Sequence, residues 1–162
     1  MIIETQQPSN EIMKFFENKL KYHIYNVNKD IYKVIHNNYL SINDNKLLAL
    51  TCKNHDKDRF ELFQFIPQAL YYEYKLKNIP IDKKLKKIIF LSLKKHKQTN
   101  THHPEYFNDI NNMSIINIIE FICDIKDIHK KKPTNIYDII TTNYKFNENN
   151  LKIIKEVLNI IT

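Results

Sequence analysis

Apolar residues recur along most of the chain at steps of three and four, the spacing that places side chains on one face of an α-helix. The clearest stripe belongs to a helix that we expect to begin after Pro8, with Ser9 or Asn10 as its N-cap, and to end at Asn37-Asn38. The stripe consists of Phe16, Leu20, His23, Val27, Ile31 and Val34. We therefore expect this helix to bury a face that includes a histidine.

Six further helices are predicted from the same spacing and from side chains that cap helix starts. They are a helix capped by Asp44 and running to Cys52, one from about Glu61 to Lys77 with Pro67 in its first turns, one capped by Asp82 from about Lys83 to Lys97, one capped by Ser114, one capped by Thr134 and running to about Tyr144, and one that starts at Asn147. Residues 98–112 are predicted to form a loop with one short turn, and residues 130–133 an exposed connector.

The helix after Ser114 is apolar on nearly every side, which is typical of a buried central helix. Isoleucine favours strands, but these segments exceed the ~5–6 residues of a usual strand and do not alternate. The sequence therefore predicts an all-α protein, a single domain over residues 1–162 with about six or seven helices.

Glycine is absent from all 162 residues. A P-loop, a dinucleotide-binding GxGxxG turn and a GxSxG nucleophile elbow all require glycine, so these sites are excluded. Tight hairpins also depend on glycine, which argues against a hairpin-rich β fold. Asparagine is the next best residue for left-handed helix ends, and we expect it to serve there.

The chain is rich in residues with AT-rich codons, which indicates an AT-rich genome such as that of some large DNA viruses, parasites or low-GC bacteria. Arg59 is the single arginine among 25 basic residues, and the formal charge is +7. This charge permits anionic partners such as nucleotides or phosphates without choosing among them.

The chain is expected in a reducing compartment, because Cys52 and Cys123 form no disulfide framework. Residues 1–10 lack the features of a signal peptide, and no apolar run approaches the ~18 residues of a membrane span. We predict a cytoplasmic protein, in the host cytoplasm if the genome is viral.

Histidine and aspartate occur at apolar positions of the predicted helices, where burial of a polar side chain costs free energy. Asp124 interrupts the isoleucine helix, where an unpaired carboxylate would be strongly disfavoured; the simplest alternative is an edge position touching Lys126 or a hydroxyl. His23 alone could be an ordinary core histidine, and His55-Asp56 alone could be chance. Together they offer two imidazoles and two carboxylates, a set that suits Mn, Fe, Co, Ni or Zn and, less well, Mg.

The order of these residues resembles the HD-domain superfamily of metal-dependent phosphohydrolases. The residues that carry the resemblance are His23, His55-Asp56-Lys57-Asp58-Arg59-Phe60, His96, His102-His103-Pro104-Glu105-Tyr106, and Met113 to Asp124. Within that superfamily the pattern is similar to an uncharacterised branch of short HD-type proteins from bacteria, phages and large DNA viruses. It covers residues 20–126 and extends weakly to the C-terminal helices.

The resemblance implies an HD-like helical bundle with a metal held by His23, His55, Asp56 and Asp124. Members with two metals add histidines between the HD pair and the last aspartate. His96, His102 and His103 lie in that interval and are expected to complete a second metal site or to line a phosphate pocket, unless His102-His103 belong to a solvated loop.

Arg59 is a departure from the nucleotidase branches, which carry a glutamate three positions after the HD aspartate. Other HD proteins often carry lysine there, so the resemblance implies that Arg59 faces a phosphate, a role for which its planar fork is well suited. Lys57, Asp58 and His96 complete the expected catalytic set. Asp58 or Glu61 is the expected base or partner of a ligand histidine.

The implied function is hydrolysis of a phosphomonoester or phosphodiester, with a nucleotide-type substrate and a metal-activated water. Three alternatives stay open: an HD-fold di-iron oxygenase, a catalytically inactive scaffold, and a nucleic-acid-binding protein. The last would use the basic helix face formed by Lys83, Lys84, Lys86, Lys87, Lys94, Lys95 and Lys97 together with stacking tyrosines.

Overall fold

The computed structural model describes residues 7–131 and 134–162. These residues form seven α-helices and contain no strand, which confirms the all-helical prediction. The helices are α1 (Asn10–His36), α2 (Ile42–Cys52), α3 (Leu62–Leu76), α4 (Lys83–Thr99), α5 (Ile115–His129), α6 (Ile136–Asn143) and α7 (Glu148–Ile161). Two segments lie outside the described residues. They are residues 1–6, part of the segment in which we predict no signal peptide, and Lys132-Pro133 of the predicted connector.

Helix α5 is the centre of the bundle, as its apolar sequence predicts. Its residues from Ile118 to Asp124 are all buried, and the main core cluster joins them to α1, α2, α6 and α7. A smaller cluster, formed by Phe16, Leu20 and Ala69, packs α3 against the first half of α1. The two clusters together involve α1, α2, α3, α6 and α7 besides α5, and the polar residues described below converge on α1, α3 and the interior of α5.

Two helix starts differ from the prediction. Ser41, not Asp44, caps α2: its hydroxyl accepts the backbone N–H of Asp44 at 3.1 Å and donates to the Asp44 carboxylate at 2.7 Å. Asn135, not Thr134, caps α6 by accepting the backbone N–H of Tyr137 at 2.8 Å. Ser, Thr, Asp and Asn all cap helices well, so local sequence does not choose between neighbouring candidates.

Short helical turns account for the other differences. Helix α4 continues to Thr99, and residues 98–112 hold two 3₁₀ helices, Pro104–Tyr106 and Ile110–Asn112, instead of one turn. A third 3₁₀ helix, Lys57–Phe60, follows the His-Asp pair. Elements of three or four residues are too short to show a periodic pattern, and the sequence analysis therefore missed them.

Three described residues have positive φ, and none is glycine. Asn38 follows α1 and Asn78 follows α3, so asparagine takes the left-handed helix ends as expected. The third is Asp56, with φ 56° and ψ 17°. Left-handed backbone costs most residues about 1–2 kcal/mol, and aspartate is among the few that adopt it routinely.

No helix in the described part of the chain is both long enough and apolar enough to span a membrane.

Candidate metal centre

Four predicted ligands converge from three parts of the chain. His23 comes from α1, Asp124 from α5, and His55 and Asp56 from the turn after α2. The Nε2 atom of His23 lies 3.1 Å from Asp124 Oδ1, 3.4 Å from Asp56 Oδ2 and 3.4 Å from His55 Nε2. His23 therefore belongs to a group of ligand atoms close enough together to surround one metal ion. Asp124 does not take the edge position beside Lys126, because Lys126 pairs with Asp30 at 2.8 Å.

Three more histidines gather on the opposite side of Asp56. His96, from the last turn of α4, brings its Nε2 to 3.3 Å from Asp56 Oδ1 and to 2.9 Å from His103 Nε2. His102 Nε2 lies 3.5 Å from the same carboxylate oxygen. His102 is buried and His103 is half-buried, so the solvated-loop alternative is wrong for this pair.

Asp56 is the residue that the two groups share. Its Oδ2 faces His23, and its Oδ1 faces His96 and His102. Within the described residues, neither Oδ1 of Asp56 nor Nε2 of His102 has a hydrogen-bond partner, although both atoms are buried. Buried polar atoms without partners are rare in native proteins, and a cation between them would satisfy both. The left-handed turn at Asp56 places this carboxylate between the two groups.

A carboxylate stands behind each of four histidines. Asp127 Oδ2 lies 2.7 Å from Nδ1 of His23, and Asp58 Oδ2 lies 2.9 Å from Nδ1 of His96. Glu120 Oε1 serves two rings and lies 2.9 Å from Nδ1 of His55 and 3.5 Å from Nδ1 of His102.

These contacts orient the rings. A carboxylate on one ring nitrogen fixes the orientation and directs the other nitrogen at a metal, as is usual for histidine ligands. In all four histidines it is the Nδ1 side that is held and the Nε2 side that faces Asp56 or Asp124.

The acidic surroundings set the charge of the metal-free site. Burial by itself would lower the pKa of His23, but Asp124 and Asp56 raise it to about 10. Burial likewise opposes the charged form of His96, and Asp56 and Asp58 raise its pKa to about 9. Burial and the charge of His102 lower the pKa of His103 to about 3, so this ring is neutral and suited to be a ligand.

The carboxylates respond in the opposite direction. Burial would raise the pKa of Asp56, yet the neighbouring histidines His102, His23 and His96 hold it well below its usual range. Asp124 behaves in the same way, its pKa lowered mainly through His23 despite burial. Asp56 and Asp124 are therefore carboxylates at neutral pH, which is the form that binds cations.

Only some of the predicted catalytic residues lie at the cluster. Arg59 donates from Nη1 to Asp56 Oδ2 at 3.0 Å, and Asp58 holds His96 as described. Lys57 is exposed and donates to Asn54 at 2.8 Å, and Glu61 is exposed at the start of α3. The structure thus brings Arg59, Asp58 and His96 to the cluster and leaves Lys57 and Glu61 outside it.

Sequence reasoning missed a polar row on α3. Gln64 donates to Asp58 Oδ2 at 3.0 Å, and Gln68 accepts from Arg59 Nη2 at 2.8 Å. Both glutamines are buried, and their spacing of four places them on one face of the helix. That spacing within the apolar first half of the helix was the available signal.

Glu120 and Asp127 were also missed. They share α5 with Asp124, and their offsets of four and three put the three acids on one face of a largely apolar helix. A stripe of acids in such a helix predicts a shared polar partner. Here the partners are the histidines.

The described side chains offer three groups whose ligand atoms lie within 4.8 Å of one another. They are His23, His55 and Asp124; Asp56, His96, His102 and His103; and His55, His102 and Glu120. Asp56 belongs to the second group and also lies 3.4 Å from His23 of the first. Buried histidine and carboxylate side chains are thus arranged so that they could hold a metal ion.

No curated protein and no solved structure shows significant similarity to the chain. One family model, described as a family of unknown function (DUF5662), matches residues 13–160. This range contains every residue of the cluster around Asp56. The chain therefore belongs to DUF5662.

Proposed function

We propose that the protein is a metal-dependent phosphohydrolase with two divalent transition-metal ions. The observation that carries the proposal is the position of Asp56, whose Oδ2 faces His23 while its Oδ1 faces His96 and His102. Paired metal sites in hydrolases are commonly about 3.5–4 Å apart, a separation that a shared carboxylate spans. The resemblance to the HD-domain superfamily supports the same assignment.

Each part of the cluster has a role in this proposal. His23, His55 and Asp124 would hold one ion, His96, His102 and His103 the other, and Asp56 both. Bound metals supply Lewis-acid activation of water and stabilise charge on phosphate oxygens. Arg59 adds a fixed guanidinium beside Asp56, where it would meet the oxygens of a phosphate.

The test combines metal analysis with an assay. Protein loaded with Mn, Co or Ni is expected to hydrolyse bis(p-nitrophenyl) phosphate or a nucleotide, and His55→Ala and Asp56→Asn are expected to abolish turnover. Asparagine is the better replacement at position 56, because it tolerates the left-handed backbone that alanine would strain. His36→Ala is the matched control, since His36 is exposed at the end of α1.

Three results would contradict the proposal. They are full activity in Asp56→Asn, a well-folded protein that binds no metal, and iron-dependent oxygen consumption without hydrolysis. The last outcome would favour the di-iron oxygenase, since a diiron site would draw on the same histidines and aspartates.

A further inference from the structure

Two rows of side chains lead away from the metal cluster, one on α1 and one on α3. On α1, Lys19 precedes His23 by four residues, and on α3, Tyr72 follows Gln68 by four. Residues four apart lie above one another on a helix, about 6 Å along its axis. The rows are joined at two levels. At the inner level, beside the metal cluster, His23 and Gln68 are connected through Asp56 and Arg59. At the outer level, one helical turn away, Lys19 contacts Tyr72 directly.

The outer level is built by Lys19 and Tyr72. The Lys19 ammonium donates to the Tyr72 hydroxyl and lies 3.9 Å from the centroid of the ring. The Tyr72 ring is itself held by Phe16, with ring centroids 5.9 Å apart. These contacts fix a cation that would otherwise be mobile on a long side chain.

Two donors of the level nearer the metal cluster have no partner in the described part of the chain. Within the described residues, Arg59 Nε and Gln68 Nε2 are buried and make no hydrogen bond. Gln68 is only 7% exposed, so its amide is not satisfied by bulk solvent. Unpaired buried donors cost free energy, and an anion is the ligand that would use both.

Lys19 is influenced by two other positive charges. Burial lowers the pKa of Lys19, and the charges of Arg59 and Lys131 lower it further. These three cations come from α1, from the 3₁₀ helix after Asp56, and from the turn after α5. Like charges from three elements are brought together at a cost, which an anion between them would offset.

We propose that Lys19, positioned by Tyr72, binds a second phosphate group of the substrate one helical turn from the metal cluster. The natural substrate would then carry two linked phosphate groups, as in a phosphoanhydride. The first group would lie at the metals, and the second between Lys19, Arg59 and the free amide of Gln68. This inference rests on the proposed function, but it concerns binding and is tested without turnover.

The experiment measures binding of two probes, orthophosphate and methylenediphosphonate, a pyrophosphate analogue whose carbon bridge cannot be hydrolysed, by calorimetric titration of manganese-loaded protein dialysed free of excess metal. Wild type is expected to bind the diphosphonate more tightly than orthophosphate. Lys19→Met should weaken diphosphonate binding about tenfold, the effect of one charge-assisted hydrogen bond, and leave orthophosphate binding unchanged. Tyr72→Phe keeps the ring and removes the hydroxyl, and it should weaken diphosphonate binding in the same selective way.

Lys21→Met is the matched control, because Lys21 is an exposed lysine of α1 that pairs with Glu17. The proposal is overturned if wild type binds the two anions equally, or if Lys19→Met and Lys21→Met behave alike. If diphosphonate binding is selective and depends on Lys19 while no phosphoester is hydrolysed, the subsite stands and the hydrolase assignment fails.

Discussion

Glu120 Oε1 lies 2.9 Å from Nδ1 of His55, inside the helix that forms the centre of the core. This contact leaves Nε2 of His55 facing His23 Nε2 at 3.4 Å. The same Glu120 oxygen reaches His102 on the other side of Asp56 at 3.5 Å. One buried carboxylate thus orients a histidine in each of the two ligand groups.

Replacing Glu120 with glutamine should weaken metal binding about 10–100-fold, the usual effect of losing a carboxylate behind a ligand histidine. Glutamine keeps the size of the side chain, so the fold should persist. Competition with a chelating dye measures the affinity, and Glu148→Gln, on the exposed start of α7, is the control. Equal affinities in the two variants would show that Glu120 does not position the ligands.

The ligand groups on the two sides of Asp56 predict two bound ions per chain. His23→Ala and His103→Ala should each reduce the content from two ions to one, because each histidine belongs to one group alone. Inductively coupled plasma mass spectrometry of dialysed protein measures the stoichiometry. A single ion in the wild type, or two ions in either variant, would contradict the paired arrangement.

Metal binding should release protons. In the metal-free protein the pKa of His23 is raised to about 10 and that of His96 to about 9, so both rings are protonated at pH 7. A metal binds only the neutral ring, so it must displace at least two protons, and its affinity should rise with pH between 6 and 8. Calorimetry in buffers of different ionisation enthalpy counts the protons, and a heat independent of the buffer would refute this.

The central helix should dominate stability. Ile119 is fully buried in α5, so Ile119→Ala should lower the free energy of unfolding by about 2–5 kcal/mol through lost burial and a cavity. Ile42 is 76% exposed, and Ile42→Ala should change it by less than about 0.5 kcal/mol. Urea denaturation of both variants checks the difference, and similar midpoints would contradict the assigned position of α5.

Much of the fold was predictable, because the buried face of a long amphipathic helix is visible in the sequence as a stripe of apolar residues. The stripe on α1 from Phe16 to Val34 is buried as predicted, apart from His23, which remains slightly exposed at the cluster. The short 3₁₀ turns and the choice of cap residues were not predictable, since they depend on a few local contacts.

Some residues of the candidate site were predictable from the sequence and others were not. His23, His55, Asp56 and Asp124 were recognisable because charged or polar groups at apolar positions need partners. Glu120 and Gln68 carried a weaker signal, because only the packing of α5 and α3 shows which side chains they meet. Lys57 shows the reverse error, since its position beside the His-Asp pair suggested a role and its side chain turns to the surface.

Of the three described residues with left-handed backbone, Asn38 and Asn78 can be replaced without touching the candidate site, and Asp56 cannot. Glycine at positions 38 and 78 should suit the backbone better than asparagine and raise the free energy of unfolding, by up to about 1 kcal/mol each, in chemical denaturation. Losses in both variants would contradict this. Glycine at position 56 would ease the same strain and remove the carboxylate between the histidines. A protein engineer thus has room for stabilisation at two helix ends, while the third position must keep its strained backbone for the sake of its side chain.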